Sequence, residues 1–173
     1  LEKTNPHLLK FFDIVTQAGK GSYVFIIFSF LYLFFRFIQK NQRAKNKCLY
    51  ILVTLLLSGV VCDVLKYLLA RSRPYLFFTQ NIYGFHFLKA QYLMNSFPSG
   101  HSTVISAVMT ALFLLNRRFW PLYLGITFLI GLSRLLLTAH FLSDVLTGMV
   151  LGATTAQICL NWFIREGFLD NVR

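Results

Sequence analysis

Two histidines and one aspartate in this 173-residue chain stand at spacings that suit phosphoryl transfer. His140 and Asp144 are four residues apart, which on a helix places them on one face. Asp144 could then accept the N–H of one ring nitrogen of His140 and leave the other nitrogen to attack. His101 lies on a different segment and could protonate a leaving oxygen. Three cations, Lys66, Arg73 and Arg134, recur beside these residues, and such a set fits a phosphate ester, whose oxygens take arginine forks and backbone N–H groups. The sequence shows no carboxylate cluster able to hold Mg²⁺, so the three cations are expected to supply the charge stabilisation. The chemistry implied is metal-independent and cofactor-free, and passes through a phosphohistidine.

Asn95-Ser96-Phe97-Pro98-Ser99-Gly100-His101-Ser102 is a polar, turn-forming break between apolar segments. Pro98 starts a helix well, and Ser99 and Gly100 would leave their N–H groups free at its N-terminus, where the macrodipole favours an anion. His101 would sit beside whatever that cradle holds.

These residues must be positioned by a membrane-embedded framework. Hydrophobic residues make up 56% of the chain and charged residues 13%, about half the charge of a soluble domain. The net charge of +11 gathers between apolar segments and not on a soluble face, which points to a membrane surface and an anionic substrate and away from nucleic acid. Cys48, Cys62 and Cys159 lie in or at the edge of apolar segments as free thiols, with neither a disulfide framework nor zinc-ligand spacing.

The expected fold is all-α, a polytopic transmembrane bundle forming one domain over residues 1–173. An amphipathic stretch over residues 1–20 reads as an interfacial helix, with Leu8, Leu9, Phe11, Phe12 and Val15 on one face. Five spans follow: Ser22 to Gln39, Cys48 to Ala70, Ser99 to Asn116, Phe119 to about Thr138, and about Phe141 to Ile164. Lys40, Arg43, Lys45 and Lys47, and then Arg117 and Arg118, place two connections inside by the positive-inside rule. The ends of spans two and four and the starts of spans three and five would then share the outer side. Gly148-x-x-x-Gly152 suits close helix packing. The aromatic-rich segment from Arg71 to Phe97 would lie at headgroup level, long enough to act as a lid.

Lys66-x6-Arg73-Pro74, Pro98-Ser99-Gly100-His101 and Ser133-Arg134-x5-His140-x3-Asp144 together resemble the tripartite signature of the type 2 phosphatidic acid phosphatase superfamily, which also includes vanadium haloperoxidases. The resemblance covers about Cys48 to Ile164. It implies a helical bundle with its site at the outer face, phosphate binding by Lys66, Arg73 and Arg134 with help from Ser99 and Gly100, and roles for His101 as acid, His140 as nucleophile and Asp144 as orienter. Membrane members commonly have six spans, so a further span is expected before Leu1.

The function expected is hydrolysis of a phosphate or diphosphate monoester of a membrane lipid. Undecaprenyl diphosphate, phosphatidylglycerol phosphate, phosphatidic acid and lipid A phosphate are the candidates that the resemblance implies. A lipid phosphotransferase is the nearest rival, and a non-catalytic anionic-lipid-binding or transport protein is the rival of a different class. Low acidity and basic inner loops suit a bacterial inner membrane, with the site facing the periplasm or outside. Blander readings fall on the remaining polar residues: Asp63 as a buried ion-pair partner of Lys66, Arg71 as a headgroup contact, and His7, His86 and Lys89 as solvated or headgroup-facing groups.

Overall fold

Apolar runs broken by short polar or basic turns give a chain that is almost wholly helical. The computed structural model describes residues 6–170 apart from Ala18 and Ala90. Helix α1 spans Pro6–Gln17, α2 Gly21–Leu33, α3 Gln42–Leu69, α4 Pro74–Gln80, α5 Gly100–Leu115, α6 Trp120–Leu136 and α7 Leu142–Arg165. A π-helical turn, Phe34–Ile38, extends α2, and short 3₁₀ turns occupy Tyr92–Met94 and Arg117–Phe119.

Local chemistry accounts for the boundaries. The Asn41 side chain caps α3 by accepting the Ala44 N–H at 3.1 Å. Ala70 ends α3 in the left-handed region (φ 45°), returning its N–H to the Lys66 carbonyl oxygen at 2.8 Å. Pro74 opens α4 and Pro121 lies in the first turn of α6, where a missing N–H costs nothing.

The five expected spans correspond to α2, α3, α5, α6 and α7. Among the described residues, four helical runs are long and apolar enough to cross a bilayer: Pro6–Ile38, Gln42–Leu69, Arg117–Leu136 and Leu142–Arg165. Helix α5 has 16 residues and falls short of that length. Its short length suits its place inside the bundle, against α7, α3 and α6. The glycine pair works as its spacing implies: a Cβ at Gly148 would stand 2.6 Å from the Ser99 carbonyl oxygen, and one at Gly152 would overlap the Thr103 carbonyl oxygen, so the α7 backbone lies directly on α5.

The bundle is apolar without, and its interior mixes an apolar core with hydroxyls. Tyr50, Ile51, Val108, Leu160 and Phe163 are buried beside Thr54, Ser58, Thr103 and Ser106, while Leu57, Val60, Phe128, Val150 and Ile158 are exposed along the helix flanks. Such flanks suit lipid as solvent, and the interior hydroxyls can bond backbone carbonyls of neighbouring helices; Ser106 Oγ donates to Met149 O at 2.7 Å.

Helix α1 packs on α6 with Phe12 and Thr16 buried, whereas Leu8 and Phe11 of its expected apolar face are exposed. Residues 1–5 of that expected interfacial helix lie outside the described residues. The 71–97 segment contains α4, and its aromatics Tyr75, Phe77, Phe78, Tyr83, Phe85, Phe87 and Tyr92 are all exposed, with the rings of Tyr83 and Phe85 each also covering Arg71 on one face.

Candidate active site

The polar residues singled out by spacing all gather at one end of the bundle, where α3 and α6 end and α2, α5 and α7 begin. Lys66 occupies the last turn of α3 and extends over the start of α5, with Nζ 2.9 Å from where a Cβ on Gly100 would stand. A side chain at that position would displace the end of the flexible Lys66 side chain from its place over α5. Beyond Ala70 the chain crosses the bundle end, where the Arg73 N–H bonds the Leu93 carbonyl oxygen at 2.9 Å. The Arg73 side chain donates from Nε to Tyr92 O at 3.0 Å and from Nη1 to Ala139 O at 3.4 Å, which sets it beside His140. Arg134 lies in the last turn of α6, donating from Nη1 to Thr16 Oγ1 at 2.8 Å, while its buried Nε has no partner among the described residues.

Ser99 caps α5, and Gly100 and His101 are its first residues. The Ser99 N–H is not free as expected: it donates to the Asp144 carbonyl oxygen at 2.9 Å. Its hydroxyl is buried and accepts from Ser102 Oγ at 3.0 Å. The N–H groups left open at this terminus are therefore those of Gly100 and the residues just after it, which a helix leaves without internal partners. His101 borders a cavity of about 300 Å³ with Lys20, Cys62, Asp63, Lys66 and Val104, between the ends of α2, α3 and α5.

His140 and Asp144 are near one another, but not in the expected way. His140 lies in the turn before α7 and not on the helix, and Asp144 is the third residue of α7. His140 Nδ1 meets the Ser96 carbonyl oxygen at 2.7 Å, while Asp144 Oδ2 is 3.8 Å away, beyond a hydrogen bond. Among the described residues His140 Nε2 makes no hydrogen bond. Burial, and then the positive charges of Arg73 and Arg134, hold the His140 imidazole below its ordinary pKa, against the opposing pull of Asp144 and the Ser96 carbonyl. A neutral ring is the form with a lone pair to use.

Asp144 is wholly buried and has other partners: Ser96 Oγ at 2.6 Å, the Phe141 N–H at 2.9 Å, and Arg71 Nη1. Arg71 is thus no headgroup contact but a buried ion-pair partner, and removing one member of such a pair costs about 3–5 kcal/mol. Its partner stands 73 positions further along the chain, a separation that local spacing rules do not reach. Ser96 was also missed as a site residue; its one visible signal was membership of the polar break before Pro98. Asp63 does pair with Lys66, at 3.1 Å, but its side chain is 78% exposed, so the pair is not buried. His86 is only half-exposed, with Nε2 buried and without a partner among the described residues. Among the described residues no group of three His, Cys, Asp or Glu side chains could hold a metal ion.

Apolar flanks with a cationic, two-histidine cluster at one end of the bundle define an integral membrane protein. Residues 47–168 match the family model described as the PAP2 superfamily. The chain belongs to that superfamily and is a membrane phosphatase. It is 29% identical over 164 residues to a lipid A 1-phosphatase of Rhizobium johnstonii, covering 88% of this chain and 67% of the relative. A lipid A 4'-phosphatase of Porphyromonas gingivalis is 27% identical, over 86% of this chain and 63% of the relative. An undecaprenyl-diphosphatase of Sulfolobus acidocaldarius is 28% identical, over 76% and 59%. The chain thus spans roughly three-fifths to two-thirds of these relatives' lengths. The fold is shared with the crystal structure of Aquifex aeolicus LpxE, with a TM-score of 0.63 and 23% identity over 91% of this chain and 87% of that one. It is also shared with a transmembrane PAP2-type phosphatidylglycerolphosphate phosphatase from Bacillus subtilis, with a TM-score of 0.61 and 21% identity over 93% and 79%.

Proposed function

We propose that this phosphatase hydrolyses the phosphate monoester or diphosphate of a membrane lipid, with His140 as nucleophile. The observation that carries the reading is the convergence of Lys66, Arg73, Arg134 and the α5 N-terminus around a histidine whose Nε2 is left unbonded. The phosphoryl oxygens would lie among those cations and the first N–H groups of α5. The Nε2 lone pair forms the N–P bond as the bond from phosphorus to the leaving oxygen breaks, and that oxygen takes a proton from His101. Water then attacks phosphorus, giving its proton to His101; the N–P bond breaks, its electron pair returns to Nε2, and inorganic phosphate leaves. The cavity of about 300 Å³ beside His101 gives the leaving group a place between α2, α3 and α5. No step here calls on a metal, so turnover should persist in excess EDTA; loss on chelation with recovery in Mg²⁺ would oppose this part of the reading.

Lipid A phosphates stand first among the substrates, because the named relatives at 29% and 27% identity act on lipid A, with undecaprenyl diphosphate next on the relative at 28%. Purified protein in detergent should release inorganic phosphate from lipid A at a rate above that from phosphatidic acid or phosphatidylglycerol phosphate. Release from undecaprenyl diphosphate alone would move the assignment to that lipid, and transfer to another lipid without free phosphate would make the protein a phosphotransferase. The site would face outward from a bacterial inner membrane, since Lys40, Arg43, Lys45 and Lys47 lie at the opposite end of the bundle. In intact spheroplasts an impermeant maleimide should label a cysteine placed at Asn81 and spare one at Asn41; the reverse pattern would invert this orientation.

A further inference from the structure

His140 is held through an intermediary. A carbonyl oxygen can only accept, so the contact of His140 Nδ1 with Ser96 O fixes the proton on Nδ1 and the lone pair on Nε2. Ser96 uses all of its polar groups at once. Its N–H donates to the Arg71 carbonyl oxygen at 3.0 Å, its hydroxyl donates to Asp144 Oδ2 at 2.6 Å, and its carbonyl oxygen takes the His140 proton. Asp144 Oδ1 is bound by Arg71 Nη1, which also donates to Ser143 Oγ at 2.7 Å, while Nη2 donates to Tyr83 Oη at 2.8 Å. The guanidinium lies over the rings of Phe141, Tyr83 and Phe85, at 4.5, 5.4 and 5.4 Å from their centroids. Such a planar cation held by three aromatic faces and a buried carboxylate has little freedom to turn toward a substrate.

We propose that Arg71 and Ser96 are positioning residues for His140: Arg71 is the fixed counter-charge of Asp144, and the pair, acting through Ser96, keeps Nδ1 as the donor and Nε2 as the attacking atom. The proposal rests on the reading of His140 as nucleophile. Charged and titratable groups face His140 from every side: Asp144 of α7, Arg73 from the segment before α4, Arg134 of α6 and His101 of α5. Only Asp144 is negative, and Arg71 is the cation that occupies it. Without Arg71 the buried carboxylate keeps the Ser96 hydroxyl and the Phe141 N–H, and the ionisable group beside it that can take up its charge is the His140 ring at 3.8 Å. The ring would then be drawn from Ser96 and would hold a proton to higher pH.

The test uses p-nitrophenyl phosphate, whose leaving group needs no acid, with purified protein in detergent and folding followed by thermal denaturation. R71Q should lower kcat by about 10²-fold, the order expected when a reacting group is misplaced by an ångström, with KM changed little. Its acid limb of kcat/KM should move up by about one pH unit, as expected when a carboxylate turns to a neighbouring imidazole. D144N should abolish that shift, so that R71Q/D144N is no slower than D144N alone. S96A keeps the carbonyl oxygen but loses the link to Asp144, and should show a smaller fall in kcat with the same direction of shift. Additive losses in R71Q and D144N with an unmoved acid limb would overturn the proposal. If R71Q does not fold, R71K and S96A decide: folded variants with wild-type kcat and pH profile would overturn it. A His140→Ala variant that retains turnover would instead remove the nucleophile reading beneath the proposal, a result distinct from either.

Discussion

The two halves of the site are built in opposite ways. On the His140 half, Asp144 and Ser96 are wholly buried, and the Ser96 N–H, hydroxyl and carbonyl groups are all bonded. On the anion half, Lys66 has one ion pair to an exposed carboxylate, and Arg134 holds one side-chain bond and a buried Nε with none among the described residues. The difference suits the proposed tasks. A nucleophile gains from a fixed tautomer and direction, which the bonded groups of Ser96 and Asp144 give. An anion site needs donors that are still free when the substrate arrives. A buried Nε without a partner among the described residues occurs in both halves, on Arg71 and on Arg134, and so does not distinguish them.

Substitutions in the two halves should therefore fail differently. The largest effect is expected from His140→Ala, which should abolish phosphate release from every substrate, including p-nitrophenyl phosphate. His101→Ala removes both the proton donor to the leaving oxygen and the acceptor of the water proton, so it should cost about 10²–10⁴-fold with a lipid alcohol as leaving group, and only the first of these losses should be rescued with p-nitrophenolate. Phosphate release from both substrate types would show it; equal loss on both for His101→Ala would erase the division of labour between the histidines.

Next come the cations. Arg134→Ala or Arg73→Ala should reduce kcat by about 10²–10³-fold, the usual consequence of losing one donor to developing charge, with thermal stability nearly unchanged. Arg71→Ala should lower stability as well as rate, because it leaves Asp144 buried and unpaired. Thermal midpoints measured beside kcat would separate the halves; a stable Arg71→Ala variant would break the comparison. The smallest effect is expected at Thr16, whose hydroxyl steadies Arg134 from α1. Thr16→Ala should raise KM by roughly 2–10-fold, the worth of one hydrogen bond, and leave kcat near its original value.

Much of this was legible in the chain itself. The apolar runs and basic turns placed α3, α6 and α7 within a few residues, apart from the basic first turns of α3, because lipid imposes one strong rule on spanning segments. The residues of the three motifs converge because their positions at helix ends alternate in step with the direction of the chain. Arg71 and Ser96 were hidden for the opposite reason. Their partners come from α7 and the turn before it, so nothing in local spacing announces the contact. The pairing of Asp144 with His140 was overread, since a four-residue spacing implies a shared face only on a helix, and His140 stands in a turn. Helix α5, Gly100–Leu115, lies within one residue of its expected bounds, Ser99 and Asn116, at each end.

The central claim is that His140 carries the phosphoryl group. Protein mixed with a phosphate-labelled substrate and quenched in alkali within the first turnover should retain label in a base-stable, acid-labile linkage. Peptide mass spectrometry should then place the label on His140, and His140→Ala should carry none. Label on another residue, or steady hydrolysis by the wild-type protein with no trapped intermediate and an active His140→Ala variant, would contradict the account.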